Sequence, residues 1–195
     1  MKAYLFIICA LLLGACSAPA PVELYMLKAD ADPRAATGAQ PIDSRLLVGL
    51  GPVHLPEYLN RLQLVREVGS HRYQLDEQHR WAEHLDQNIG RALSQQLAGL
   101  LGVEQIVLHP WPAKPAVDYQ IGVDILEFHQ GPDGLNRLQA QWQIRHREQV
   151  QLSKRFQCAI ASSAEAEAAV SAQSRCLGRL GVEIDAGLRQ LLDSN

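Results

Sequence analysis

A single α/β domain, in which a mixed, mainly antiparallel sheet carries two long helices packed on one face, is the fold this sequence predicts. Three observations carry that expectation. Residues 117–147 alternate apolar and polar side chains on either side of Gly131-Pro132-Asp133-Gly134, the pattern of a long antiparallel hairpin. Two stretches, 83–101 and 163–192, repeat leucine and isoleucine at helical spacing with polar residues between them. Shorter apolar runs punctuated by glycine and proline surround these elements, and such pieces bury their apolar sides only by stacking in layers.

The chain of 195 residues opens on Lys2 and an apolar run from Ala3 to Leu13, followed by Gly14, Ala15 and Cys16. A short basic start, an apolar stretch and small residues at its end form a signal peptide. The run is too short to cross a bilayer, which takes about 20 apolar residues. A cysteine after Leu13-Gly14-Ala15 resembles a bacterial lipoprotein signal, in which that cysteine is lipidated and becomes the first residue of the mature chain. The expected division is therefore residues 1–15 as signal, 16–44 as lipidated N-terminus, tether and edge strand, and 45–195 as the folded domain. Bound acyl chains contribute about 0.8 kcal/mol per buried methylene, enough for a multiply acylated Cys16 to hold the protein on a membrane. The same resemblance to lipoproteins of double-membrane bacteria implies, from Ser17 rather than an aspartate after the cysteine, the outer membrane and its periplasmic face.

Within the tether, Val22-Glu23-Leu24-Tyr25-Met26-Leu27 has the composition of a first strand, and residues 29–41 are loop-like, poor in large apolar side chains. Residues 46–53 are apolar almost throughout, as in a strand buried on both faces, with Pro52 confining its end to an edge or a bulge. A turn follows at Leu55-Pro56-Glu57-Tyr58-Leu59. Residues 62–65 pair with 72–75 about Gly69-Ser70. Leu85, Ile89, Leu93, Leu97 and Leu100 line one face of the first helix, and Gly102 provides its C-cap. Residues 104–108 form a short strand before the proline-rich stretch around Trp111. The hairpin of 117–147 continues through a turn at Glu148-Gln149 into a third strand, making a meander. The second helix begins with Ser163 as N-cap, and Gly178, Gly181 and Gly187 weaken it locally.

Net charge is −3 with no block of one sign, so nucleic acid is not an expected partner. Of four cysteines, Cys9 leaves with the signal and Cys16 is the anchor. Cys158 and Cys176 remain as a pair in an oxidising compartment, where a disulfide is favoured over two separately buried thiols. Closing that loop would contribute about 3 kcal/mol. The seven histidines fall in no metal-ligand spacing; His79 and His84 are five apart, off a common helical face. There is no Gly-x-Ser-x-Gly turn and no phosphate-cradling glycine loop, and Asp118 and Asp124 share a strand face without a partner acid or base. Neither catalysis nor a cofactor or metal is expected. Aromatic residues near loops, Tyr58, Trp81 and Trp111, either pin those loops to the core or meet a partner chain.

The order of these features is informative in itself. The lipobox, the Tyr25-Met26-Leu27 segment, the strand ending at Val53, the loop His54-Leu55-Pro56-Glu57-Tyr58-Leu59 and the helix opening Trp81-Ala82-Glu83-His84-Leu85 together resemble the PqiC/YmbA family. These are auxiliary lipoproteins of ABC-type and Mce-type transport systems. The resemblance implies a non-enzymatic component at the outer membrane that docks on the tunnel-forming Mce-domain protein of an inner-membrane complex and supports lipid transport and envelope integrity. It carries no catalytic residues. Cys16 is then the anchor, and Tyr58 and Trp81 are the residues expected to contact the partner or shape the docking face. A homo-oligomeric ring would match a ring-shaped partner. The competing readings are a pilotin-like or outer-membrane assembly lipoprotein that chaperones another envelope protein, and a lipid-modified periplasmic hydrolase, the latter disfavoured by the missing nucleophile.

Overall fold

The computed structural model describes residues 21–28, 40–110 and 117–194, so Cys16, Ser17 and Trp111 lie outside the described residues. In chain order the elements are β1 (Glu23–Tyr25), β2 (Val48–His54), β3 (Gln63–Gly69), β4 (Arg72–Trp81), α1 (Leu85–Leu101), β5 (Val107–Leu108), β6 (Tyr119–Gln130), β7 (Leu135–His146), β8 (Gln149–Ala161) and α2 (Ala166–Asp193). All eight strands belong to one sheet.

The sheet branches at β6. Along one edge β6 pairs antiparallel with β7 over its whole length, and β7 pairs antiparallel with β8. Along the other edge β2 takes residues 119–124, while β3 meets β6 only at Gln130. The first branch ends in β5, the second runs through β4 to β1. The expectation of a mainly antiparallel sheet is corrected here: four of the seven strand pairings are parallel, namely β1 with β4 and β2 with β5, β2 with β6 and β3 with β6. Alternation locates strands and a tight turn fixes a hairpin, but neither fixes the direction of a strand that arrives from a distant part of the chain.

Both helices lie on the same side of the sheet and touch each other. The paired rungs Ile121–Ile144–Leu152, Val123–Trp142 and Ile125–Ala140–Phe156 supply the apolar floor, and α2 covers it. Gly187 and Gly181 do more than weaken α2. A Cβ on Gly187 would stand 2.6 Å from the Trp142 ring, and one on Gly181 would stand 2.9 Å from the Gln96 side chain. The two glycines therefore let α2 settle onto β7 and α1. Gln96 Nε2 donates to the Gly178 carbonyl at 2.7 Å, satisfying a buried amide between the helices.

Local details follow from residue chemistry. Gly102 caps α1 in the left-handed conformation, φ 74°, its N–H donating to the Ala98 carbonyl. β2 bulges between Leu50 and Val53, across Gly51-Pro52, so the proline sits in an irregularity of an interior strand. The β7–β8 turn falls on Arg147 and Glu148, both at positive φ (48° and 66°), one residue earlier than the sequence suggests. α2 begins at Ala166 with Glu165 as N-cap and no side-chain capping bond, so Ser163 is not the cap; its carbonyl accepts from Gln130 Nε2 at 2.9 Å.

Candidate functional site

The sheet face turned away from the helices is polar. On β6, β7 and β8 it carries Asp124, Gln141 and Arg155 on one rung and Glu127, Gln139 and Gln157 on another, with Gln139 Nε2 donating to Glu127 at 2.6 Å. At the β3–β4 end this polar surface gives way to an aromatic cluster. Tyr58 comes from the turn after β2, whose carbonyls at Pro56 and Glu57 accept from Leu59 and Asn60. Leu59 is fully buried and pins the turn. The Tyr58 ring lies 5.0 Å from that of Tyr73 on β4 and 6.0 Å from that of His129 on β6. His129 meets Tyr73 edge-on at 5.2 Å.

His129 is only 2% exposed, yet it stands between two carboxylates. Its Nε2 is 3.5 Å from Glu127 and 3.6 Å from Glu67, and its Nδ1 is 3.4 Å from the Tyr58 hydroxyl. Burial pushes the imidazole below its usual range, and the pull of Glu127 and Glu67 in the opposite direction does not overcome it. Burial likewise lifts Tyr58 and Tyr73 above the ordinary phenol range, helped at Tyr58 by its neighbour Tyr73 and the same two glutamates. At neutral pH the cluster is thus a neutral imidazole and two neutral phenols. Tyr73 remains 46% exposed, which gives the cluster an accessible aromatic surface. An amphipathic patch of this kind suits contact with another protein surface.

Trp81, the other residue expected at the docking face, is placed differently. It closes β4, is 3% exposed and packs 6.5 Å from Phe128. Its side chain belongs to the core and presents almost no surface to a partner. Cys158 on β8 and Cys176 on α2 form a disulfide, with 5.6 Å between their Cα atoms, so α2 is covalently fixed to the outer strand of the meander. Asp118 accepts from the Leu47 N–H at 2.8 Å, tying β2 to the start of β6, whereas Asp124 is exposed beside His54.

His79 is held by Asp76 at 2.8 Å and lies 3.9 Å from Glu23, joining β1 to β4. His146 Nδ1 contacts the Asp118 carbonyl at 2.8 Å. Among the described residues no group of three His, Cys, Asp or Glu side chains could hold a metal ion. Tyr73, His129, Glu67 and Glu127 escape sequence reading because Tyr58 and His129 are 71 residues apart and no motif joins them. The nearest sequence signal is a glutamate and a histidine flanking Phe128 on a strand that otherwise alternates.

No curated protein matches the chain. Among solved structures, an uncharacterised protein superposes with a TM-score of 0.66 at 20% identity, covering 77% of this chain and 96% of its own. Protein XCC0632 from Xanthomonas campestris, of family DUF330, superposes with a TM-score of 0.69 at 15% identity, covering 83% and 92%. At these identities the likeness is one of fold. The family described as the ABC-type transport auxiliary lipoprotein component matches residues 25–185, from β1 to within α2, and the chain belongs to that family.

Proposed function

We propose that this protein is the outer-membrane auxiliary lipoprotein of an Mce-type intermembrane lipid transport system. On this reading residues 1–15 are removed, Cys16 carries the lipid anchor, and the domain faces the periplasm. The helix-free face of the sheet docks on the tunnel-forming Mce-domain protein, with Tyr58 and Tyr73 at its aromatic end. The observation that carries the reading is the family match over nearly the whole folded region. Two features of the molecule support it. One face of the sheet is closed by helices and a disulfide while the other presents polar rungs and a half-exposed tyrosine. The buried histidine of that face, His129, and its neighbouring carboxylates are engaged with one another.

The experiment is affinity purification of the full-length tagged chain from detergent-solubilised envelopes. Recovery of an Mce-domain protein is the expected result, and recovery of a secretin or outer-membrane barrel protein in its place overturns the reading in favour of an assembly lipoprotein. Metabolic labelling with palmitate tests the anchor in parallel: the label is expected in the native chain and absent from Cys16→Ala.

A further inference from the structure

The strand β1 and the residues on either side of it leave three large apolar side chains in solvent. Val22 is 50%, Leu24 64% and Met26 39% exposed, and they alternate with Glu23, Tyr25 and Leu27. The segment is nonetheless firmly held. Leu27 is fully buried and its N–H donates to Asn88 of α1 at 3.0 Å, the Tyr25 carbonyl accepts from Ala82 at 2.9 Å, and the Lys28 N–H reaches Ser174 of α2 at 3.4 Å. The exposed row therefore lies on a fixed ledge. Beside it runs an open groove of about 670 Å³ between β1 and the N-terminal half of α2, lined by Leu24, Met26 and Val170 together with Lys28. Arg175 joins this surface through Ser171, to which it donates at 3.3 Å. Two acidic side chains face the same groove. Glu23 is occupied by the Tyr25 hydroxyl at 2.6 Å, and Glu167 sits in the first turn of α2.

What can cover this ledge is set by chain length. Val22 is six residues beyond Cys16, and a chain spans at most about 3.6 Å per residue, so Val22 is tethered within about 22 Å of the acylated cysteine. An apolar row that ends in Lys28, held that close to a bilayer, fits an interfacial contact: the apolar side chains at the headgroup boundary, Lys28 at the phosphates, and Glu23 and Glu167 turned to the groove behind the row. We propose that Val22, Leu24 and Met26, with Lys28 and Arg175, form a phospholipid-contacting surface that seats the domain on the membrane holding Cys16. This rests on the reading of Cys16 as the anchor. It orients the molecule, placing β1 and the start of α2 against lipid and the helix-free sheet face away from it.

The test uses the full-length lipidated chain in phosphatidylethanolamine–phosphatidylglycerol vesicles. With Cys16 acylated and Cys158 joined to Cys176, a cysteine introduced by Leu24→Cys is the single free thiol for an environment-sensitive fluorophore, and Gln141→Cys on the opposite face is the control. The expected result is a blue shift at position 24 and about threefold more quenching there by a headgroup-proximal lipid nitroxide than at position 141. Equal quenching at the two positions, in protein that floats with the vesicles, overturns the proposal while leaving the anchor intact. A shift at position 24 that arises only when envelope proteins are added overturns it in favour of a protein partner at this edge. Failure to float with the vesicles overturns the anchor reading and the proposal together.

Discussion

The two faces of the sheet are built by opposite rules. Under the helices, Trp142, Leu138, Ile121 and Ile144 are fully buried, Gly187 gives way to the Trp142 ring, and a disulfide ties α2 to β8. On the other face the neighbouring residues of the same strands are Gln139, Gln141 and Gln143, and the deepest side chain is a histidine set between two glutamates. The contrast separates the face that holds the fold together from the face to which the proposed function assigns recognition. Substitutions on the covered face are expected to unfold the domain, and substitutions on the open face to alter binding while leaving the fold standing.

The sharpest way to break this comparison is at Trp142, where Trp142→Ala is expected to cost about 3–5 kcal/mol in chemical denaturation, because a buried ring leaves a cavity that α2 cannot fill. Next is the disulfide: Cys158→Ala combined with Cys176→Ala is expected to lose about 3 kcal/mol, with the wild type showing a similar loss under reducing conditions. On the open face the expected effect moves from folding to affinity. Tyr73→Ala should weaken capture of the partner by about tenfold, close to 1.4 kcal/mol, with little change in melting temperature. Gln141→Ala, at an exposed position, should shift stability by less than about 0.5 kcal/mol.

His129 sharpens the comparison by its pH dependence. Its folded-state pKa lies below the ordinary 6.5, so the unfolded chain takes up a proton first as pH falls. The stability it confers is complete above about pH 6.5 and declines as pH drops through the window between the two values. Asp76 and Asp133 are held below 3.8, so their contributions are lost only in more acidic solution and leave this window clear. Melting temperature measured between neutral pH and the upper acid range should fall for the wild type and fall less steeply for His129→Gln.

Much of the covered face is legible in the sequence. The apolar stripe of α1, the Gly102 cap, the alternation through 117–147 and the pairing of Cys158 with Cys176 all depend on periodicity or on residue type. Strand direction is a different matter. β4 reads as ending near Leu75 because Asp76-Glu77-Gln78-His79-Arg80 is polar throughout, yet it runs on to Trp81 because β1 pairs with it and Asp76 receives His79. Trp81 looks like a loop residue for the same reason, and the strand instead carries it into the core. The aromatic cluster is illegible because its members come from three distant segments and meet only when β6 reaches β3 at Gln130.

On the proposed function the helix-free face meets the partner. A photoreactive phenylalanine analogue placed at Gln141 on that face, and separately at the exposed Ala186 of α2, tests it in intact envelopes. An adduct with an Mce-domain protein is expected from position 141 and none from position 186. An adduct from position 186 with none from position 141 would contradict it.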